Sequence, residues 1–212
     1  MLGSDAKTRG AILENLVGMF TYFRTSEMFD FVANILANVS SMKEGRCWMI
    51  EHSQNILSPV FLLLQDPQVN AHRTKHMVEC VRNCLFEYEK YEKDYLQMGI
   101  IELLCRVLVK EHGLTEHSLP ESWMHLKGIA PKEVFASMID IDITRDLLDG
   151  LMLLANSQTF LKEMDRQKIY HLFECLKIKP FGETRTKIDV INAQLMSLGQ
   201  EELPIAEPTD LD

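Results

Sequence analysis

The sequence predicts an all-α fold, and three observations carry that prediction. Apolar residues recur at helical spacing through most of the chain, as in Met28, Phe29, Val32, Ile35, Leu36 and Val39. No two-residue hairpin signal separates alternating runs of the kind that mark paired strands. A short helical stretch followed by a longer one also recurs along the chain, as in a helical repeat. The stretch at 77–87 is the most informative. Met77, Val78, Val81, Cys84, Leu85 and Phe86 make it apolar on most sides, so it belongs at the centre of the molecule. Arg82 and Asn83 interrupt that surface, and a polar residue there meets a buried partner or faces a groove.

Taken in order, residues 1–10 are polar with two glycines and read as a disordered lead-in. Residues 11–23 carry Ile12, Leu13, Leu16, Val17, Met19 and Phe20 as a short amphipathic helix. Thr25 and Ser26 offer a cap for a helix at 27–39. A short helix at 46–51 follows, then a Leu-rich one at 55–65 with Pro59 near its first turn. Asp66 and Pro67 end that helix, and a long one covers 69–85. The next group keeps the same order, with a short helix at 93–98, a break at Gly99 and an apolar helix at 100–109. Residues 110–138 are the least regular part and read as an insertion. Helices at 143–155, 159–164, 167–178 and 184–198 complete the series, and the acidic, proline-containing 199–212 reads as a disordered tail.

The recurrence can be registered on three asparagines. Asn38 and Asn83 stand 45 residues apart, within the range of armadillo and HEAT units. Leu153, Leu154, Ala155 and Asn156 match Ile35, Leu36, Ala37 and Asn38, but the 73 residues between Asn83 and Asn156 require the insertion. The expected fold is therefore an armadillo/HEAT-like right-handed α-solenoid over 11–198, interrupted at about 110–138.

A net charge of −9 argues against nonspecific binding to nucleic acid or anionic membranes, and no apolar run is long enough to span a bilayer. Five cysteines, odd in number and without a C-x-x-C pair, suit a reducing compartment, and the cytoplasm is the expected location. His72, His76, Cys80 and Cys84 recur every four residues, but a single helix cannot close a tetrahedron around zinc. His112, His117 and His125 read as loop histidines of the insertion. Glu87, Glu89, Glu92 and Asp94 read as solvated surface, as do Arg73 and Lys75, whereas Arg82 suits a buried carboxylate or a groove ligand. No nucleophile elbow, Walker loop or dinucleotide fingerprint is present, so neither catalysis nor a cofactor or metal is expected.

Asparagine can bond a peptide backbone with both its donor and its acceptor, whatever the peptide's side chains. Asn38, Asn83 and Asn156, with Arg82, are therefore the candidate protein-binding residues, the other reading being that each asparagine ties off a helix end.

The stretches 32–40, reading Val-Ala-Asn-Ile-Leu-Ala-Asn-Val-Ser, and 81–87, reading Val-Arg-Asn-Cys-Leu-Phe-Glu, carry a likeness to a known family. The sequence resembles the armadillo-like eukaryotic proteins that help fold translation elongation factor two together with the cytosolic chaperonin TRiC. That family shows an Arg-Asn-Cys-Cys-Phe-(Asp/Glu) run, against Arg82, Asn83, Cys84, Leu85, Phe86 and Glu87 here. Leu119-Pro120, Lys132-Glu133, the stretch from Asp142 to Leu154 and Tyr170-His171-Leu172 also match, so the likeness covers roughly 29–196. The stretch 106–116 departs from the family pattern, His72 and Arg73 stand where it has paired arginines, and the family carries further armadillo units ahead of this region. The resemblance implies a non-catalytic chaperone or assembly factor with elongation factor two as client and the chaperonin as partner. The alternative is a structural or scaffold subunit of a larger assembly. An uncapped repeat end at 11–23 would also favour self-association through the N-terminal helices.

Overall fold

The computed structural model describes residues 6–115, 117–126, 140–176 and 182–201. Within them the chain is helical, with no strand. The helices are α1 (Ala6–Tyr22), α2 (Asp30–Ser41), α3 (Lys43–Glu51), α4 (Leu57–Gln65), α5 (Ala71–Cys84) and α6 (Glu92–Met98), followed by α7 (Ile100–Glu111), α8 (Ile141–Leu154), α9 (Gln158–Arg166), α10 (Ile169–Cys175) and α11 (Glu183–Glu201). Short 3-10 turns at Glu27–Phe29, Leu85–Glu87 and Glu121–Leu126 join or extend them.

Two of these bounds fall on stretches expected to be unstructured. Helix α1 begins at Ala6, inside the expected lead-in, and α11 runs to Glu201, into the expected tail. The remainder of both segments, residues 1–5 and 202–212, lies outside the described residues, as do 116 and 127–138 of the insertion, residue 139, and 177–181 after α10.

Capping explains several boundaries. Asn70 Oδ1 accepts the Arg73 amide at 2.8 Å to open α5, and Asp140 Oδ1 accepts those of Asp142 and Ile143 to open α8. Ser26 occupies the position expected of a cap, but its side chain makes no capping bond. Gly99 separates α6 from α7 with φ 67°, a left-handed conformation that glycine adopts without steric cost.

Helices α2, α5, α8 and α11 pack in sequence, each on the next. Behind them α1, α4 and α7 make a second row, with α1 on α2, α4 on α5 and α7 on α8. Helix α7 sits deepest, burying Ile100, Ile101, Leu103, Leu104, Cys105, Val107, Leu108 and Val109. The buried pattern and the N-cap positions together give the register of the front row. Ala33, Leu36, Ala37 and Ser40 recur as Thr74, Met77, Val78 and Val81, and again as Thr144, Leu147, Leu148 and Leu151. The steps are 41 residues, from 33 to 74, and 70 residues, from 74 to 144. The N-cap positions Phe29, Asn70 and Asp140 repeat with the same two steps.

This register corrects the alignment on asparagines. The 45- and 73-residue spacings overshoot the structural steps by four and three residues, one helical turn each time. Asn38 stands level with Glu79 and Asp149; Asn83 stands level with Leu153, and Asn156 with Phe86.

Candidate functional site

Because the second row covers their backs, α2, α5 and α8 each keep a narrow line of less buried residues on the opposite side. On α2 it is Phe31, Asn34, Ile35 and Asn38, and on α5 it is His72, Lys75, His76, Glu79 and Arg82, extended by Phe86. On α8 it is Asp142, Arg145, Asp149 and Met152. These lines run side by side and form the candidate binding face.

Charge on this face is paired across helices. Lys75 Nζ donates to Asp142 Oδ2 at 2.7 Å, and Arg82 Nη1 donates to Asp146 Oδ1 at 2.8 Å. Arg145 reaches Asp142 at 3.1 Å, and Lys187 on α11 holds Asp149. The Asp142 carboxyl is held below its usual range, first by the hydrogen bond from Lys75 and then by the charges of Lys75 and Arg145. Burial pushes the Asp146 carboxyl upward, against the opposing pull of Arg82 and Arg145.

The four sequence candidates separate in this setting. Of the two partners open to Arg82, a buried carboxylate or a groove ligand, the fold supplies the first, since the Asp146 side chain is only 8% exposed. Asn83 is buried: its Nδ2 donates to Ser40 Oγ at 3.1 Å, and its Oδ1 accepts from Arg82 Nη2 at 3.1 Å. It ties α5 to α2 through side chains and bonds no helix-end backbone group. Asn38 is exposed on the open line, and exposed Asn156 lies beyond the end of α8, where Oδ1 accepts Gln194 Nε2 at 3.5 Å. The structure therefore gives the three asparagines three environments.

Asn34, which was not among the candidates, and Arg82 each have unmet hydrogen-bonding capacity on this face. Asn34 Oδ1 and Arg82 Nε are buried atoms with no hydrogen-bond partner. Asn34 lies one turn before Asn38 on the same line, so helical periodicity alone could have singled it out.

Several residues read as surface or loop are buried or half-buried. Arg73, expected on a solvated face, is 1% exposed. Its Nε donates to Asp30 Oδ1, its remaining nitrogens bond the carbonyls of Arg24 and Ser26, and its guanidinium lies 4.7 Å from the Phe20 ring centroid. Glu87 receives Arg46 at 2.7 Å in a largely covered pair, and Glu92 accepts Ser157 Oγ at 2.7 Å. His112, expected in a loop, is buried at the end of α7, with Nε2 3.2 Å from Thr144 Oγ1 of α8.

His72 and His76 meet edge to face, while Cys80 and Cys84 point into the core. The five cysteines carry no disulfide. Among the described residues no group of three His, Cys, Asp or Glu side chains could hold a metal ion, and no helix is long and apolar enough to cross a membrane.

Residues 3–122 match a protein family described as a domain of unknown function, DUF383. The chain belongs to that family. The match takes in α1 to α7, and with them the front-row helices α2 and α5. No curated protein matches the chain, and no solved structure does.

Proposed function

We propose that the chain is a non-catalytic protein-binding module of the cytoplasm, built as an armadillo-like right-handed α-solenoid. In this reading α2, α5, α8 and α11 line its concave face and α1, α4 and α7 form the outer row. The face holds a partly folded protein client, with translation elongation factor two as the client and the cytosolic chaperonin as the partner that receives it. The resemblance over 29–196 supports the client, and the recurring register of the front row supports the architecture.

The unmet acceptor of Asn34 and the unmet donor of Arg82 carry the reading. Both atoms are closed to solvent in this packing, so a client reaches them when the half-buried Asn34 and Arg82 side chains turn outward, and the bond then recovers the cost of leaving them unmet. An extended client offers N–H and C=O groups in every residue, so such a pair grips a chain with little regard for its side chains. Existing ion pairs neutralise most charge on the face, which keeps the grip from depending on a charged client.

Affinity purification of the chain from its native cell tests the function. Recovery of elongation factor two and chaperonin in substoichiometric, exchangeable amounts supports a chaperone. A fixed-ratio complex lacking both proteins contradicts it and favours the scaffold alternative.

A further inference from the structure

We propose that the groove between α4 and α6 docks a short segment of a partner protein, one that carries a leucine, methionine or phenylalanine one helical turn from a lysine or arginine. The proposal does not rest on the client reading, because the groove shares no residue with the candidate binding face.

Two helix faces make the groove. Ser58, Phe61 and Leu62 share one side of α4, and Asp94, Gln97 and Met98 share one side of α6. Ser53 and Gln54, from the turn between α3 and α4, complete the lining of a cavity of about 430 Å³, a size usual for ligand sites. Leu62 is 67% exposed, on a helix whose other leucines, Leu57, Leu63 and Leu64, are buried. Phe61 and Met98 beside it make the groove apolar at this point. Helices α1 and α7 both pack on α4, so the groove does not lie at an end of the back row. All of its lining residues fall within the 3–122 family match.

The chemistry of the lining selects the occupant. Asp94 is exposed and, among the described residues, pairs with no cation, whereas Glu51 on α3 and Glu92 on α6 are engaged by Tyr91 and Ser157. The side chains of Ser53, Gln54, Ser58 and Gln97 make no hydrogen bond within the described residues, which leaves donors and acceptors free for a peptide backbone. An unpaired carboxylate beside an apolar slot is complementary to a cation beside an apolar side chain. Length sets the scale of the contact: α6 has 7 residues and rises about 10 Å, so the groove takes one apolar anchor and about two turns of its helix. A small molecule is a poorer occupant, because the exposed walls at Gln54, Leu62, Asp94 and Gln97 leave too much of it in water. The chain's own 202–212 stretch is acidic, contains no lysine or arginine, and has the wrong charge for Asp94.

Fluorescence anisotropy on the full 212-residue chain tests the proposal. The probes are short fluorescein-labelled alanine–glutamine peptides, each with one leucine, methionine or phenylalanine and a lysine one helical turn away. The best of the panel should bind with a Kd below about 100 µM, and exchanging its lysine for glutamate should weaken it at least about fivefold. Leu62→Ser should weaken it by at least about fivefold as well. Asp94→Lys should transfer the preference to the glutamate peptide. Both positions are exposed, so the helical signal of each variant should match wild type. Val190→Ser, at an exposed apolar residue of α11, should leave binding unchanged. A panel that binds no tighter than about 1 mM overturns the proposal, as does binding indifferent to both groove variants or weakened equally by Val190→Ser. A dimer in light scattering that Leu62→Ser breaks makes the occupant a second copy, and overturns it too.

Discussion

Arg82 on α5 and Asp146 on α8 form the central tie of the front row, at 2.8 Å, with the carboxylate side almost fully covered. The same guanidinium donates to Asn83, and Asn83 donates to Ser40, so one hydrogen-bonded line joins α8, α5 and α2. Removing one member leaves a covered charge or polar group unmatched, which costs more than the pair itself contributes. Arg82 is about a quarter exposed, which lowers the penalty. Arg82→Ala should therefore cost about 2 kcal/mol in urea unfolding, and Arg82→Ala with Asp146→Ala about 1 kcal/mol less than the two single changes added. Additive losses would mean that the two side chains do not interact in solution.

Arg73 is a deeper case. With its side chain 1% exposed and bonded to Asp30, Arg24 and Ser26, it anchors the segment between α1 and α2 to α5. A lysine cannot reproduce the planar fork that reaches all three. Arg73→Lys should cost about 3 kcal/mol of stability. Amide exchange should quicken first at residues 23–29, and uniform acceleration across the chain would contradict this anchoring role.

The α2–α3 junction depends on a missing side chain. A Cβ on Gly45 would stand 2.0 Å from the Val39 carbonyl oxygen, and backbone on both sides leaves nothing flexible to yield. Gly45→Ala should cost about 2 kcal/mol or more, although alanine is the better helix former. A stabilised variant in thermal melts would refute the close packing of these two helices.

The pH dependence has a definite sign at Asp142. Its carboxyl is lowered in the folded chain from an ordinary 3.8 by Lys75, so its contribution is fully present above that value and lost as pH falls through the lower folded value. Carbon-detected NMR should show Asp142 titrating below an ordinary aspartate, and Lys75→Met should move it upward. Asp146, raised by burial, works in the opposite sense: it favours the fold at low pH, and that contribution fades as pH rises through its folded value.

Helix existence was legible in the sequence because each helix buries a face of 3.6-residue period. Register was not. Sliding an amphipathic helix by three or four residues returns apolar positions to apolar positions, so Asn38, Asn83 and Asn156 align as plausibly as the true set. The helix starts distinguish the two: counted from the N-cap positions Phe29 and Asn70, Glu79 stands level with Asn38. Arg73 and His112 were misread for a related reason. Their partners, Asp30 and Thr144, lie 43 and 32 residues away, and local composition does not carry such pairings. Arg82 was legible because its own neighbours on the helix are apolar, which calls for a partner.

The central claim is that the face along α2, α5 and α8 grips an extended client through Asn34 and Arg82. Its most direct test is the affinity of the chain for unfolded elongation factor two, measured by fluorescence anisotropy for wild type and for Asn34→Ala with Arg82→Lys. The lysine keeps a cation beside Asp146 while removing Nε. The claim predicts a loss of affinity of at least about tenfold with the helical signal retained, as for two lost hydrogen bonds. A folded double variant that binds as tightly as wild type would contradict it.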